Sequence, residues 1–202
     1  MSYYNFDFLI AAMIILLLIL YHFLGQRRAK DLNNQVFLFF AALGTMDVAA
    51  ELLSNYCITS YNSELGMTAW FSTTIFYLFQ ALLPYTLIFY VHTLHDHNVI
   101  SIKKMLISGI PTIALLCIVL TNPFTEKLFY FDVSGGYMTG PWYMLMYYSA
   151  LCHIVVALFL ILNWWKELGI QRVKILLEIL LLSGSGVIIQ FVYHPLLTTG
   201  FG

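Results

Sequence analysis

The chain has 202 residues, of which 61% are hydrophobic and 9% charged, with a formal net charge of −1; average soluble domains run at about 45–50% and about 25%. So few charges cannot cover a water-facing surface, which excludes a soluble globular domain, a disordered chain and a nucleic-acid module working through a basic face. The mean hydropathy of +0.84 places the protein in a lipid bilayer.

A spanning helix needs roughly 20 predominantly apolar residues. Six stretches qualify, at about Phe8–Leu24, Gln35–Tyr56, Thr68–Thr93, Ile102–Thr121, Trp142–Trp165 and Val173–Tyr193. The expectation is therefore an all-α polytopic bundle of six spans, one membrane domain over residues 1–202. The first span is not a signal peptide: MSYYNFD carries no basic residue, and QRRAK follows the apolar run instead of preceding it. Trp70, Trp142, Tyr143, Trp164, Trp165 and Tyr193 stand near span ends, where aromatic rings anchor at the headgroups.

Charge placement predicts the orientation. Arg27, Arg28, Lys30, Lys103, Lys104, Lys166, Arg172 and Lys174 all fall in loops of one parity, and only Lys127 falls on the other side. The positive-inside rule makes the first side cytoplasmic. The N-terminus is then outside, as is the TTGFG terminus, and the bundle lacks a seventh span.

Within the spans, polar residues are few and costly. Asp47 and Glu51 lie four residues apart, on one face of the second span. A carboxylate at the bilayer centre costs at least ~2.5 kcal/mol. Counted inward from the outer ends, Asp47, Gln80 and His153 reach one layer near the midplane, with Glu51 and Gln190 above it. These five residues predict a polar pocket, open to the outside, that binds a small ligand or responds to protons; interhelical hydrogen bonding is the structural alternative. Pro84, one turn beyond Gln80, predicts a kink or hinge in the third span. The run Ser183–Gly184–Ser185–Gly186 suits close helix packing, and Glu178 suits an ion pair with Lys174. His92, His95 and His97 lack the helical His-x-x-x-His spacing, so no metal site is predicted. Cys57, Cys117 and Cys152 read as packing residues. No G-x-S-x-G, H-E-x-x-H or P-loop occurs, so neither a catalytic group nor a cofactor is predicted.

Between the fourth and fifth spans, residues 122–141 form the longest outer loop. Leu128–Phe131, with Phe129, Tyr130 and Phe131, reads as a short aromatic strand. Asp132 to Gly136 is turn chemistry, and Tyr137–Thr139 can pair back as a hairpin. Asn122 opens this loop and Trp142 closes it. An aromatic hairpin over the mouth of a bundle suits a lid on a pocket, or a cap on the helix ends.

The loop and following helix, NPFTEKLFYFD…GGYMTGPWYMLMYY, resemble the multi-span sensory module found N-terminal to GGDEF diguanylate cyclase domains, or to histidine kinase domains, in Gram-positive bacteria. The stretch Gln80–Pro84 with Tyr90 is similar to the proline-bearing third helix of that module. The resemblance implies an input module in the cytoplasmic membrane that senses an outer or intramembrane signal and regulates a cytoplasmic output domain in cis or in trans, as a homodimer. Its partners are then the bilayer and a small ligand, with no nucleic acid. This stretch of sequence contains no GGDEF motif, kinase histidine box or seventh span, so it is expected to be the non-enzymatic sensory part of a longer product or a stand-alone form. Two other readings stay open: a small proton- or solute-coupled transporter, and an intramembrane enzyme using Asp47, Glu51 and His153. No internal repeat supports transport, since Pro84 has no counterpart in the second half.

Overall fold

The computed structural model describes residues 6–25, 32–60, 66–95, 102–132 and 136–198. In chain order the elements are α1 (Phe6–Gly25), α2 (Leu32–Thr59), α3 (Gly66–His95), α4 (Ile102–Thr125), β1 (Phe129–Phe131), β2 (Tyr137–Thr139), α5 (Met144–Asn163), α6 (Trp165–Leu168) and α7 (Ile170–Thr198). The expected turn at 133–135, and His97, Arg27, Arg28 and Lys30, lie outside the described residues.

Among the described residues, four helical stretches are long and apolar enough to cross a membrane: Leu32–Thr59, Gly66–His95, Met105–Thr125 and Met144–Asn163. Leu9–Gly25 of α1 is apolar over a shorter length. The outward faces are covered in large apolar side chains, among them Ile15, Leu18, Phe71, Leu106, Val155, Phe159 and Leu181. In water such a surface would drive aggregation; in lipid it is the solvated surface.

The helix α3 is the hub. It packs against α2, α4, α5 and α6, and its 30 residues carry more buried positions than any other element described. Two apolar clusters share it. One joins Leu87, Ile88 and Val91 of α3 to Ala157 and Ile161 of α5 and Leu176 and Leu180 of α7. The other joins Tyr77 and Ala81 to Leu115 and Val119 of α4, Met146 of α5, and Leu128 and Phe129 before and within β1.

Most helix boundaries shift by two to five residues from the sequence expectation, α7 running from Ile170 to Thr198, and three shifts shape the site. The helix α4 runs through Asn122 and Pro123 to Thr125, so the outer loop begins at Glu126 and not at Asn122. Proline lacks only the donor that would pair one turn back, and a terminal turn tolerates that. Glu126 then ends the helix in the left-handed region, φ 52°, with its N–H on the Asn122 carbonyl; this is the helix-end position that glycine usually takes. Likewise α5 starts at Met144 after a turn over 141–143, and it stops at Asn163. Trp164 breaks it before the single turn of α6, and Gly169 (φ 79°) redirects the chain into α7.

The hairpin forms as expected, with Phe129 opposite Thr139, Tyr130 opposite Met138 and Phe131 opposite Tyr137. The Asp132 carboxylate accepts from the Gly136 N–H at 2.6 Å, closing the turn's base. Gly140 seats the hairpin. Its N–H donates to the Leu128 carbonyl, and a Cβ there would stand 2.3 Å from the Lys127 carbonyl oxygen. Backbone cannot move aside cheaply, so Gly140→Ala is expected to cost at least ~2 kcal/mol. Gly169→Ala, strained by its φ alone, is expected to cost roughly 1–2 kcal/mol. Gly25→Ala, in open space, serves as the neutral control. Thermal melting of the three variants in detergent checks the ranking.

Candidate functional site

A cavity of about 290 Å³ lies between α2, α3, α5 and α7. The helix α2 supplies Asp47 and Glu51, placed on one face by their four-residue spacing. Gln80 and Pro84 come from α3, Tyr147 and Ala150 from α5, and Ser183 from α7, with Phe40, Phe76, Leu83, Leu87, Met146, Ile154 and Val187 as apolar walls. Glu51 sits roughly 12 Å, and Asp47 roughly 18 Å, along α2 from its Thr59 end at a rise of 1.5 Å per residue. The cavity is thus at bilayer depth, in the half of the bundle toward the hairpin.

Pro84 has a specific effect here. With no N–H, it leaves the carbonyl of Gln80, four residues back, without its helical partner. Gln80 and Pro84 both line the cavity, at the level of that freed carbonyl. One carboxylate oxygen, Asp47 Oδ1, is buried and has no hydrogen-bond partner among the described residues. Most other polar groups of the bundle bond locally: Thr45 to the Ala41 carbonyl, Thr74 to Trp70, Thr86 to Leu83 and Thr93 to Tyr90. Ser54 and Thr73 bond to each other across α2 and α3 at 2.7 Å.

The cavity brings together three of the five residues expected there, Asp47, Glu51 and Gln80, with the expected hinge residue Pro84 beside them. His153 is placed elsewhere. Its Nδ1 is 2.7 Å from the Ser149 carbonyl, so Nδ1–H donates, and in the neutral ring Nε2 then accepts from the Thr112 hydroxyl at 2.8 Å. With Nδ1 engaged within α5 and Nε2 engaged toward α4, it bridges two helices and does not line the cavity. Gln190 belongs to α7, but its side chain lies outside the described ones. Glu178 is exposed, and no ion pair joins it to Lys174 among the described residues.

The hairpin stands over this region and is rooted in it. Asn122 is fully buried; its Nδ2 donates to the Phe129 carbonyl at 2.9 Å, and its Oδ1 accepts from the Leu128 N–H at 2.7 Å. Phe129, also fully buried, packs on Trp70 and stacks on Tyr77. Phe131 and Tyr137 complete that aromatic face, while Tyr130 and exposed Asp132 belong to the outer side. Trp142 lies under the Lys127 ammonium at 3.9 Å, a cation–π pair at the hairpin end of the bundle.

A tyrosine series that the sequence reading missed connects the hairpin to the cavity. The Tyr137 and Tyr77 hydroxyls are 2.5 Å apart. The Tyr77 and Tyr143 rings meet edge to face, and the Tyr143 hydroxyl bonds that of Tyr147, a cavity residue, at 3.1 Å. The Tyr143/Tyr147 spacing was visible as an i, i+4 pair; its contact with Tyr77, which bonds Tyr137 across sixty residues of chain, was not.

At the opposite end of the bundle, His95 stacks on Trp164, and its Nε2 pairs with Glu167 at 2.5 Å. His92 packs against the same indole. Trp164 therefore clamps the end of α3 to the break between α5 and α6.

Compared with known families, residues 8–200 match the family described as the N-terminal 7TM region of histidine kinases. No curated protein and no solved structure matches.

Asn122→Ala would leave a buried carbonyl and a buried N–H unpaired, each worth about 1–3 kcal/mol. A loss of at least ~2 kcal/mol in detergent melting is expected, together with protease sensitivity in the hairpin. Asn122→Asp retains the acceptor and loses the donor, and is expected to fall no closer to wild type.

Proposed function

The chain belongs to the N-terminal 7TM region family of histidine kinases, and from that premise we propose that it is the input module through which an outer or intramembrane signal regulates a cytoplasmic kinase. It is a membrane protein, and the membrane proposed is the inner membrane of a bacterium. The six spans run as α1, α2, α3, α4, α5 and α7, with the N-terminus and hairpin outside, in keeping with the bias of basic residues. The family supports a kinase output; nothing in the comparisons supports the diguanylate cyclase arm of the resemblance, and family membership also favours sensing over solute transport.

The observation that carries this reading is the cavity. A receptor needs a site whose occupancy differs in free energy between two arrangements of the bundle. Asp47, Glu51 and Gln80 supply polar groups that the bundle itself leaves underused, and Pro84 lets α3 bend at the same level. The hairpin, joined through Tyr137, Tyr77, Tyr143 and Tyr147, serves as the outer lid. At the inner end, the clamp of Trp164 on His92 and His95 passes movement of α3 to α5 and α7. A homodimer is proposed for the working form, with the output domain in cis or in trans.

Two experiments test the reading. With Thr139→Cys and Gln171→Cys in intact cells, a membrane-impermeant maleimide is expected to label the first and not the second; the reverse pattern would overturn the orientation. In a chain joined to its kinase output, Ala150→Leu fills the cavity without altering a polar group. It is expected to hold autophosphorylation at one level across stimuli; an unaltered response would remove the cavity from the signalling mechanism.

A further inference from the structure

We infer that the cavity takes a small organic cation, an aliphatic amine whose ammonium group is held by Asp47 and Glu51; the inference rests on the cavity being the sensory site. Two carboxyl groups line one partly open space, and among the described residues none that lines it is basic. Ionisable groups at bilayer depth face the bundle interior, where they pair or mark a ligand path, and the described residues of this lining supply no cation for the two acids. The unmet bonding capacity is weighted toward acceptors, with the Gln80 amide and the Ser183 hydroxyl as the donors in the lining. Asp47 Oδ1 is buried without a partner, and the Gln80 carbonyl is released by Pro84. The Glu51 carboxylate adds further acceptors. An ammonium has three donors and no acceptor, so it complements an acceptor-rich lining.

The rest of the wall selects the body of the ligand. Phe40, Phe76 and Tyr147 offer aromatic faces, on which ammonium and alkylammonium groups bind. Leu83 and Leu87 offer hydrocarbon. A divalent metal would need about six oxygens in close order, which walls made largely of aliphatic and aromatic carbon do not provide. The volume of about 290 Å³ is at the small end for ligand pockets, which run from about 300 to 1,000 Å³. That size suits a short amine or diamine and excludes a lipid.

The test uses the full chain in lipid nanodiscs, with calorimetric titration of 1,4-diaminobutane, of choline, of the neutral choline isostere 3,3-dimethylbutan-1-ol, and of magnesium ion. Saturable binding of at least one ammonium probe is expected, with none for the neutral isostere or the metal. Asp47→Asn and Glu51→Gln, both isosteric, are each expected to weaken it at least tenfold, and Ala150→Leu to abolish it. Glu167→Gln, at the far end of the bundle, is expected to leave it unchanged. Absence of binding by both ammonium probes to protein with a normal melting curve would overturn the proposal. Equal binding of the isostere, binding of magnesium alone, or full affinity in both acid variants would do the same. These outcomes separate from failure of the sensory reading. If an ammonium binds as expected but autophosphorylation ignores both it and Ala150→Leu, the site stands and the sensory role falls. If no ammonium binds while Ala150→Leu still fixes the kinase level, only the ligand class falls.

Discussion

Hydrocarbon offers no hydrogen bonds, and that one constraint shapes nearly every polar contact in this protein. A backbone group or hydroxyl left unpaired in the bilayer costs several kcal/mol. The chain therefore runs as helices, and its threonines fold back onto their own carbonyls one turn earlier. His153 satisfies both nitrogens within α4 and α5, and Asn122 spends its whole amide on the strand beside it. Against that background of local satisfaction, the cavity of Asp47, Glu51 and Gln80 stands apart. It is where the bundle keeps bonding capacity that its own groups do not use.

The same constraint explains the central place of α3. Its flanks must meet α2, α4, α5 and α6 closely, and small residues make that possible: Ala69 and Ala81 are almost wholly buried, as are Ser72 and Thr73. Gly109 of α4 lies against the Tyr85 ring, where a Cβ would come within 3.2 Å, and the Tyr85 hydroxyl donates to the Met105 carbonyl beyond it. Packing by close approach and shape is what holds helices together where lipid removes the hydrophobic drive between them.

Much of this was legible in the chain alone. The positions of the helices followed from hydropathy, because a spanning segment must be apolar throughout its length. The hairpin followed from aromatic runs on either side of Asp-Val-Ser-Gly-Gly. The pairing of Asp47 with Glu51 followed from helical spacing, and their meeting with Gln80 from a count of residues inward from the outer ends, while Pro84 was expected as a kink and joins them in the lining. That count gives height along a helix and not the direction a side chain faces. It placed His153 at the cavity's level, whereas its ring turns toward Thr112. Asn122 read as the opening of the loop after a span ending at Thr121, whereas the helix runs on through Pro123 to Thr125. The meeting of Tyr77, Tyr137, Tyr143 and Tyr147 depends on how the hairpin docks, which no local pattern encodes.

The unequal lengths of two neighbouring helices have a mechanical consequence. At 1.5 Å per residue, α3 is roughly 45 Å long and α5 roughly 30 Å, the latter matching an ordinary hydrocarbon core of about 30 Å. The shorter helix is stopped at both ends, by the turn at Pro141–Tyr143 and by the break at Trp164, and each stop carries an interfacial tryptophan. It behaves as a ruler laid across the membrane. A thicker or thinner bilayer pulls on its two tryptophans, while the longer α3 absorbs the change by tilting. Since Trp164 is also the ring that holds His92 and His95, a change in bilayer thickness bears directly on the contact between those helices. The lengths of α3 and α5 thereby tie that contact to the thickness of the surrounding lipid.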